Sequence, residues 1–492
     1  MRFDRQSGVF LHLTSLPSPH GIGDLGPGAR EFLDFLDRAD QSLWQFCPLG
    51  PTSGAHGHSP YSSFSTFAGN PLLIDLRDLR ERGWLTEDEL EPPESFDPKA
   101  VAYDQVAAFK QDRLETAFGR FRSEGASGEF DAFRERADDW LADYALFAAL
   151  KDEFDGAAWT GWPDGLADRD PDALSEYRAS LSDRVAYHAF LQWVFDEQWL
   201  DLREAAADRG VSLIGDVPMY VALDSADVWA DRDAFAIDGQ RPTAVAGVPP
   251  NSGDDGQRWG TPVYDWEHLE ATDYGWWLDR LGRLFDQVDL ARLDHFKAFD
   301  EYWAIPVDSS DPGDGEWRPG PGGAFFETVR EAFGEVPFVA EDLGFIDEGV
   351  LGLRRAFDIP GTRVPQYADW CAERHRYKPA CYPRNCIAYT ATHDTDTTVG
   401  YYLDLPEEER ECLEYALGTD GSDIAWEFVD AVWNSEAALA MTTVPDLLGR
   451  GSEARFNTPG TATGNWRWRV RSDELSDDVA DRLATVTAAT LR

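Results

Sequence analysis

The distribution of apolar and polar positions divides the chain into two kinds of segment. Short runs of β-branched or aromatic residues, each entered from a helical pattern or a glycine and left through a polar cluster, predict strands at Gly8 to Leu13, Ser42 to Leu49, Val211 to Pro218, Val288 to Asp294, Pro337 to Asp342, Thr362 to Gln366, Asn385 to Thr390 and Ala438 to Thr443. Between them lie segments of helical period: Glu31 to Ala39 with Phe32, Phe35 and Leu36 on one face, Arg184 to Ala207 closed by Gly210, Trp276 to Asp286, and Glu327 to Phe333 stopped at Gly334.

Strands alternating with helices predict a parallel sheet, and eight such units predict an α/β fold of the (β/α)8 TIM-barrel type rather than an open doubly wound sheet. An open nucleotide-binding sheet would carry a glycine-rich turn after its first strand, and none follows Leu13. The second and third strands lie roughly 150 residues apart, far beyond one crossover. The chain therefore reads as one catalytic barrel over 1–492, with a largely helical insertion over 60–205 and a second, Pro/Gly-rich excursion over 220–275. Both are expected to leave the C-terminal face of the barrel, where substrate sites are built.

Charge narrows the partners. Asp and Glu outnumber Lys and Arg by 91 to 44, a net charge of −47, and only five of the cations are lysine. Such a field repels nucleic acid and anionic membrane surfaces. Its self-repulsion falls away at molar salt, where the Debye length is about 3 Å, so a salt-rich cytoplasm is the expected setting. The 19 tryptophans exceed what a core of this size needs and suit stacking on sugar rings, although most are expected to fill core. Five cysteines are too few and too scattered for a disulfide framework; Cys371, Cys381 and Cys386 are expected to be buried free thiols. The N-terminal Met1 to Gly8 lacks an apolar signal core, and no run approaches the ~20 apolar residues of a membrane span, which makes the cytoplasm the expected compartment.

With 91 carboxylates, position is the filter for chemistry. Barrel active sites stand at the C-terminal ends of strands, and four acids close apolar runs: Asp216, Asp294, Glu341 and Asp394. Each alone suits a helix cap or a solvated loop. Four converging on one mouth would repel unless one is kept protonated, the condition for a general acid near neutral pH, and cleavage of a glycosidic bond is the chemistry that most needs such a pair. Arg292 lies two residues before Asp294 and so shares its face; it either holds that carboxylate ionised or forms a structural ion pair. His295 and His393 flank the acids, but histidines are too few and scattered to favour a metal site.

The motifs around these acids resemble those of the α-amylase superfamily, and their setting is similar to the amylomaltases, the disproportionating 4-α-glucanotransferases. The likeness is carried by Ser7 to Gly26 (SGVFLHLTSLPSPHGIGDLG), Ser59 to Asp75 (SPYSSFSTFAGNPLLID), Gly247 to Pro250, Gly256 to Tyr264 (GQRWGTPVY), Asn457 to Thr461 and Gly464 to Trp466, and spans nearly the whole chain. It implies a retaining enzyme that moves α-1,4-glucan segments between malto-oligosaccharides, with Asp294 as nucleophile, Glu341 as acid/base and Asp394 as transition-state stabiliser. Tyr61, Arg292 and His393 would line the cleavage subsite, and Asp216, Gln257, Trp259 and Asn465 would contact the glucan. No step requires a metal or organic cofactor. A hydrolase on the same barrel, or a non-catalytic glucan-binding protein, are the rival readings.

Two departures from the family pattern stand out. Asn251 occupies a place where an Asp is usual, in Gly247 to Asp254, a loop expected to cover the site and set chain-length preference. His58 stands where Asp or Asn is common and is expected to be a solvated loop residue.

Overall fold

A computed structural model describes every residue except Met1, Arg2, Ala126, Ser252 to Asp254, Glu335 and Val336. Eight parallel strands close into a barrel: β1 Gln6–Phe10, β2 Leu43–Gln45, β3 Ser212–Val217, β4 Leu290–Leu293, β5 Phe338–Ala340, β6 Gly361–Arg363, β7 Cys386–Tyr389 and β8 Leu439–Thr443. Each pairs with its neighbour in sequence, and β1 closes the ring against β8. All eight predicted runs overlap one of these strands, six contain it whole, and at the first and sixth the strand begins earlier, at Gln6 and Gly361. At the sixth the apolar signal runs past the strand into a one-turn 3-10 helix, Pro365–Tyr367.

The alternation of side chains along each strand sorts the interior. Leu43, Ile214, Leu290, Val339, Ile387 and Leu439 form a core separate from the outer layers, because these six strands each point one of these residues into the lumen. Two residues further along, the same face carries Gln45, Asp216, Arg292, Glu341 and Tyr389. The barrel is thus apolar below and polar above, and the change happens within one side-chain layer. Tyr389 Oη donates to Gln45 Oε1 at 2.9 Å across that upper layer.

The predicted helices are present with longer N-terminal turns: Pro27–Arg38, Ser182–Asp208, Gly275–Gln287 and Gly322–Phe333. Proline at N1 starts the first, where its missing N–H costs nothing. Gly210 (φ 67°) and Gly334 (φ 82°) follow the second and fourth in conformations that favour glycine. Between β2 and β3 the chain is helical for most of its length, including Tyr103–Glu124 and Asp138–Glu153.

Hydrophobic period did not reveal a second sheet. Glu316–Pro319, Glu301–Pro306, Ala244–Val248 and Gln257–Pro262 form four antiparallel strands in that order. Its strands are short, Ala244–Val248 and Glu301–Pro306 carry apolar runs without alternation, and Gln257–Pro262 and Glu316–Pro319 mix Gly, Pro and charged residues, so no two-residue period stands out.

One cysteine expectation is overturned. Cys371 is not a buried free thiol: it forms a disulfide with Cys412, 41 residues away, with the two Cα atoms 5.1 Å apart. Cys371 lies in the irregular segment after β6 and Cys412 on the helix Glu407–Leu417, so they meet only through packing of that helix, which is why sequence spacing gave no sign of them. Cys47 and Cys386 are buried and free, while free Cys381 is half-buried. Most tryptophans are buried. No described helix is long and apolar enough to cross a membrane.

Candidate active site

The site grows directly out of the strand ladder. Leu293 of β4 pairs with Ala340 of β5, and the next residue on each strand is an acid, Asp294 and Glu341. The ladder continues through them: the Asp294 amide donates to Val217 O at 3.0 Å and the Glu341 amide to Leu293 O at 3.0 Å. Neighbouring strands lie about 4.8 Å apart, so the backbone itself sets the two acids side by side.

Immediately after Asp294 the chain turns sharply. His295 takes up a left-handed conformation (φ 48°) uncommon for a residue with a side chain. The turn aims its amide at Glu341 Oε2, 2.8 Å away, while the Leu343 amide reaches Oε1 at 3.1 Å. Both oxygens of Glu341 are therefore fixed by main chain. Burial pushes its carboxyl well above the usual range, and the negative charges of Asp294 and Asp342 add to this; Arg292 and the His295 amide oppose it without reversing it. These surroundings favour the protonated form of Glu341.

Arg292 organises the other acids. Its Nη1 donates to Asp216 at 2.8 and 2.7 Å and to Asp294 Oδ1 at 2.8 Å. The guanidinium and Asp216 are almost wholly buried, while a quarter of the Asp294 side chain is open to solvent. Asp216 is raised by burial above all, against the pull of Arg292, and Asp294 raises it further.

A second chain of contacts runs from β7. His393 Nε2 lies 3.2 Å from Asp394 Oδ2 and 2.8 Å from Tyr61 Oη, and Tyr61 Oη donates to Asp216 Oδ2 at 2.7 Å. With His393 protonated, the order of donors runs from imidazolium to phenol to Asp216. Burial disfavours the imidazolium, but the Asp394 charge and hydrogen bond outweigh it and raise the His393 pKa. Depth would raise Asp394 as well; instead the His393 charge and hydrogen bond and the Asn457 amide hold it far below the usual carboxylate range. Asn457 Nδ2 donates to Asp394 Oδ1 at 2.7 Å. Asp394 keeps 39% of its side chain exposed, so it is deep but still reachable.

The Tyr61 ring stacks on His393 with centroids 5.2 Å apart at 18°, and Trp466 lies 5.8 Å off. The structure thus brings Tyr61, Asp216, Arg292, Asp294, Glu341, His393 and Asp394 into one cluster. Gln257 and Trp259 stand beside it: Trp259 Nε1 donates to Gln257 Oε1 at 2.9 Å, and the exposed indole meets His295 edge-on at 4.9 Å. Asn465 is elsewhere occupied. Its Oδ1 accepts from the Thr458 amide at 3.0 Å and its Nδ2 donates to Thr461 O at 3.1 Å, so it fastens the 458–461 turn.

Sequence reasoning passed over three neighbours. Asn457 was visible as part of a quoted motif but had no signal to rank it above Asn465. Trp466 is buried beside Tyr61. Tyr367 is about half exposed, and desolvation of its phenol first, then the charges of Asp394 and Glu341, raise its pKa. His58 departs in part from expectation: it is half-buried, lying flat on Tyr103 with ring centroids 4.1 Å apart, and burial lowers its pKa. Of the altered loop, Asn251 is described, whereas Ser252 to Asp254 lie outside the described residues.

Among the described residues two other groups come close enough to hold an ion, His20–Asp24–Asp75 and Asp300–Glu301–Asp347. Each already has an ammonium, Lys110 at 3.6 Å from Asp24 and Lys297 at 2.7 to 3.2 Å from all three acids of its group.

Residues 11–475 match the family model described as 4-alpha-glucanotransferase. Among curated proteins, the 4-alpha-glucanotransferase of Thermus thermophilus is 43% identical over 505 residues, covering 100% of both chains. That of Synechocystis sp. is 43% identical over 98% of this chain and 97% of its own. Among solved structures, the amylomaltase of Streptococcus agalactiae in complex with acarbose superposes with a TM-score of 0.95 at 35% identity, covering 99% of each chain. The amylomaltase of Corynebacterium glutamicum shares the fold at a TM-score of 0.76 and 19% identity, over 98% of this chain and 75% of its own. With motifs, barrel and relatives in agreement along the whole length, this chain belongs to the 4-alpha-glucanotransferase family.

Proposed function

We propose that the protein transfers α-1,4-glucan segments between malto-oligosaccharides by a retaining double displacement. The observation that carries this is the pair Asp294 and Glu341 on consecutive paired strands, the first bound to Arg292 and the second in surroundings that favour its protonated form. Retention needs two carboxyl groups about 5–5.5 Å apart, the order of spacing that adjacent strands impose. Asp294 attacks the anomeric carbon while Glu341 gives its proton to the departing glucan oxygen; the bond to that oxygen breaks and an ester to Asp294 forms. Glu341, now a base, takes the proton from the 4-hydroxyl of an incoming glucan, which displaces Asp294. Asp394, with Asn457 and His393 fixing its carboxylate, stabilises the positive charge that develops on the sugar ring in the transition state of each step. Tyr61 and Trp466 offer ring surfaces beneath the sugar, and Gln257 and Trp259 border the other side. Segments 60–205 and 220–275 act as insertions that wall the cleft and exclude water from the ester.

Maltotriose tests the reaction. The expected products are glucose and a ladder of longer oligomers; glucose and maltose alone, with nothing longer than the substrate, would make the enzyme a hydrolase.

The working environment in this reading is a salt-rich cytoplasm. Runs such as Glu407, Glu408 and Glu409 on one exposed helix turn and a net charge of −47 repel strongly until salt screens them. The melting temperature is expected to climb as KCl rises from 0.1 M to molar levels. A flat or falling curve would remove the salt adaptation from the picture.

A further inference from the structure

The disulfide lies in the wall of the cleft. After β6 the chain runs from Val364 to Asn385 without a strand or an α-helix, holding only two one-turn 3-10 helices, Pro365–Tyr367 and Pro379–Cys381. This stretch begins with Gln366, whose Nε2 donates to Asp396 O at 2.7 Å, two residues beyond Asp394, and with the exposed Tyr367, whose ring lies 5.7 Å from that of Tyr377. Four residues on, Cys371 is joined to Cys412 on the helix Glu407–Leu417.

The other holds on this wall are modest. Trp370 packs with Leu405, Leu413, Ile424 and Phe428 in a small core of its own, apart from those of the barrel. Trp370 Nε1 donates to Tyr401 Oη at 3.0 Å, and Lys378 Nζ donates to Trp370 O at 2.8 Å. Val364 and Tyr382 anchor the two ends of the stretch in the larger cores, while its middle, 366–378, has no regular backbone ladder and rests on the small Trp370 cluster; such a segment opens more readily than the barrel strands, and a covalent link across it restricts it most. Cys371 is exposed, so the bond is open to attack by a thiolate in solution. In a chain read as cytoplasmic, a persistent disulfide is unusual, and those that occur there tend to be redox-responsive.

We propose that Cys371–Cys412 is a removable clamp on this wall of the cleft, opened by dithiol reductants, and that its opening alters acceptor use while leaving bond cleavage in place. The second half rests on the glucanotransferase reading; the first does not. One thiolate of the dithiol attacks a sulfur of the bond, the second displaces the mixed disulfide, and two electrons and two protons pass to Cys371 and Cys412 as the dithiol closes to its cyclic disulfide. Asp294 and Glu341 stand on the barrel ladder rather than on the wall, so their spacing is unaffected.

The test uses the full-length protein with dithiothreitol as probe. Alkylation after unfolding without reductant should label three of the five cysteines and spare 371 and 412; after reduction it should label all five. Hydrogen exchange of amides 366–378 should rise about tenfold or more on reduction while the barrel strands stay protected. Cys371→Ser should show the reduced protein's exchange and ignore dithiothreitol. With maltotriose donor and glucose acceptor, the acceptor KM should rise by about threefold or more, with little change in release of glucose from the donor. Labelling of all five cysteines without reductant, or exchange at 366–378 that reduction leaves unchanged, would overturn the clamp. Loosened exchange with an unchanged acceptor KM would overturn its effect on acceptors. Failure to use maltotriose in either redox state would count against the glucanotransferase reading alone, because the exchange result stands independently.

Discussion

Two buried ionic clusters in this molecule have nearly the same ingredients and opposite characters. At the mouth of the barrel, Arg292 faces Asp216, Asp294 and Glu341. Where the first barrel loop meets the helical region, Lys110 faces Asp24 and Asp75, with His20 beside them. Both bury more carboxylate than cation, an arrangement that desolvation makes costly. In the second cluster the ammonium and both carboxylates are taken up by structural hydrogen bonds. Lys110 Nζ donates to Leu72 O and Ile74 O at 2.7 and 2.8 Å. Asp24 accepts from Ser18 Oγ and the Gly26 amide, and Asp75 caps the helix Leu76–Glu81 through the Arg77 amide at 3.0 Å. The mouth differs in leaving reachable surface on Asp294 and Asp394, whereas Asp24 is 3% exposed. Buried charge alone therefore does not mark chemistry; an acid whose lone pairs are oriented yet still accessible does.

Removing the key charge from each cluster should separate them. Asp294→Asn is expected to lower transfer by four orders of magnitude or more, with the melting temperature within a few degrees of the parent, since the amide keeps its bond to Arg292. Substantial residual transfer would detach the mouth cluster from the reaction. Lys110→Met should do the reverse: a loss of stability of about 3–5 kcal/mol from two stranded carboxylates, measured by denaturant unfolding, with kcat of the folded fraction unchanged within twofold or so. A catalytic defect there would erase the contrast.

The smallest effect is a pH dependence. Burial, then the Asp24 charge, raises Asp75 from 3.8 to about 6. The folded state thus holds a proton that the unfolded chain has released over that interval, so the contribution of Asp75 is most favourable at low pH and is lost as pH rises through 6. Asparagine caps helices as well as aspartate and does not titrate. The stability of Asp75→Asn relative to the parent should consequently shift in the variant's favour by roughly 1–2 kcal/mol between pH 4.5 and pH 7.5. A difference independent of pH would show that Lys110 keeps Asp75 ionised throughout.

The same contrast explains what could be read in the sequence. The barrel was legible because each strand is a short apolar run, and the acids of the mouth because they close those runs: Leu290 and Arg292 differ in chemistry but share a face, and that period survives in one dimension. Lys110 and Asp24 gave no sign, since neither ends a strand and their meeting depends on how a helix crosses a loop. Cys371 and Cys412 were missed for the same reason. The sheet that carries Gln257 and Trp259 escaped because Gly, Pro and charged residues interrupt its alternation, although its motif did mark both residues for attention. Asn465 and Asn457 were equally polar members of one loop, and only the coordinates separate the one that fastens the turn from the one that grips Asp394.

Since Leu293 and Ala340 are register partners and the two reactive acids each stand one residue beyond them, the interval across which a sugar must be handled is inherited from the peptide repeat rather than tuned by loops. Loops can lengthen, acquire a bond between sulfurs or change charge, and what they alter is which glucan arrives and how long it stays. The part that makes and breaks bonds is insulated from that drift, so a lineage moving into a new solvent can rebuild almost its entire exterior around an unaltered cutting edge.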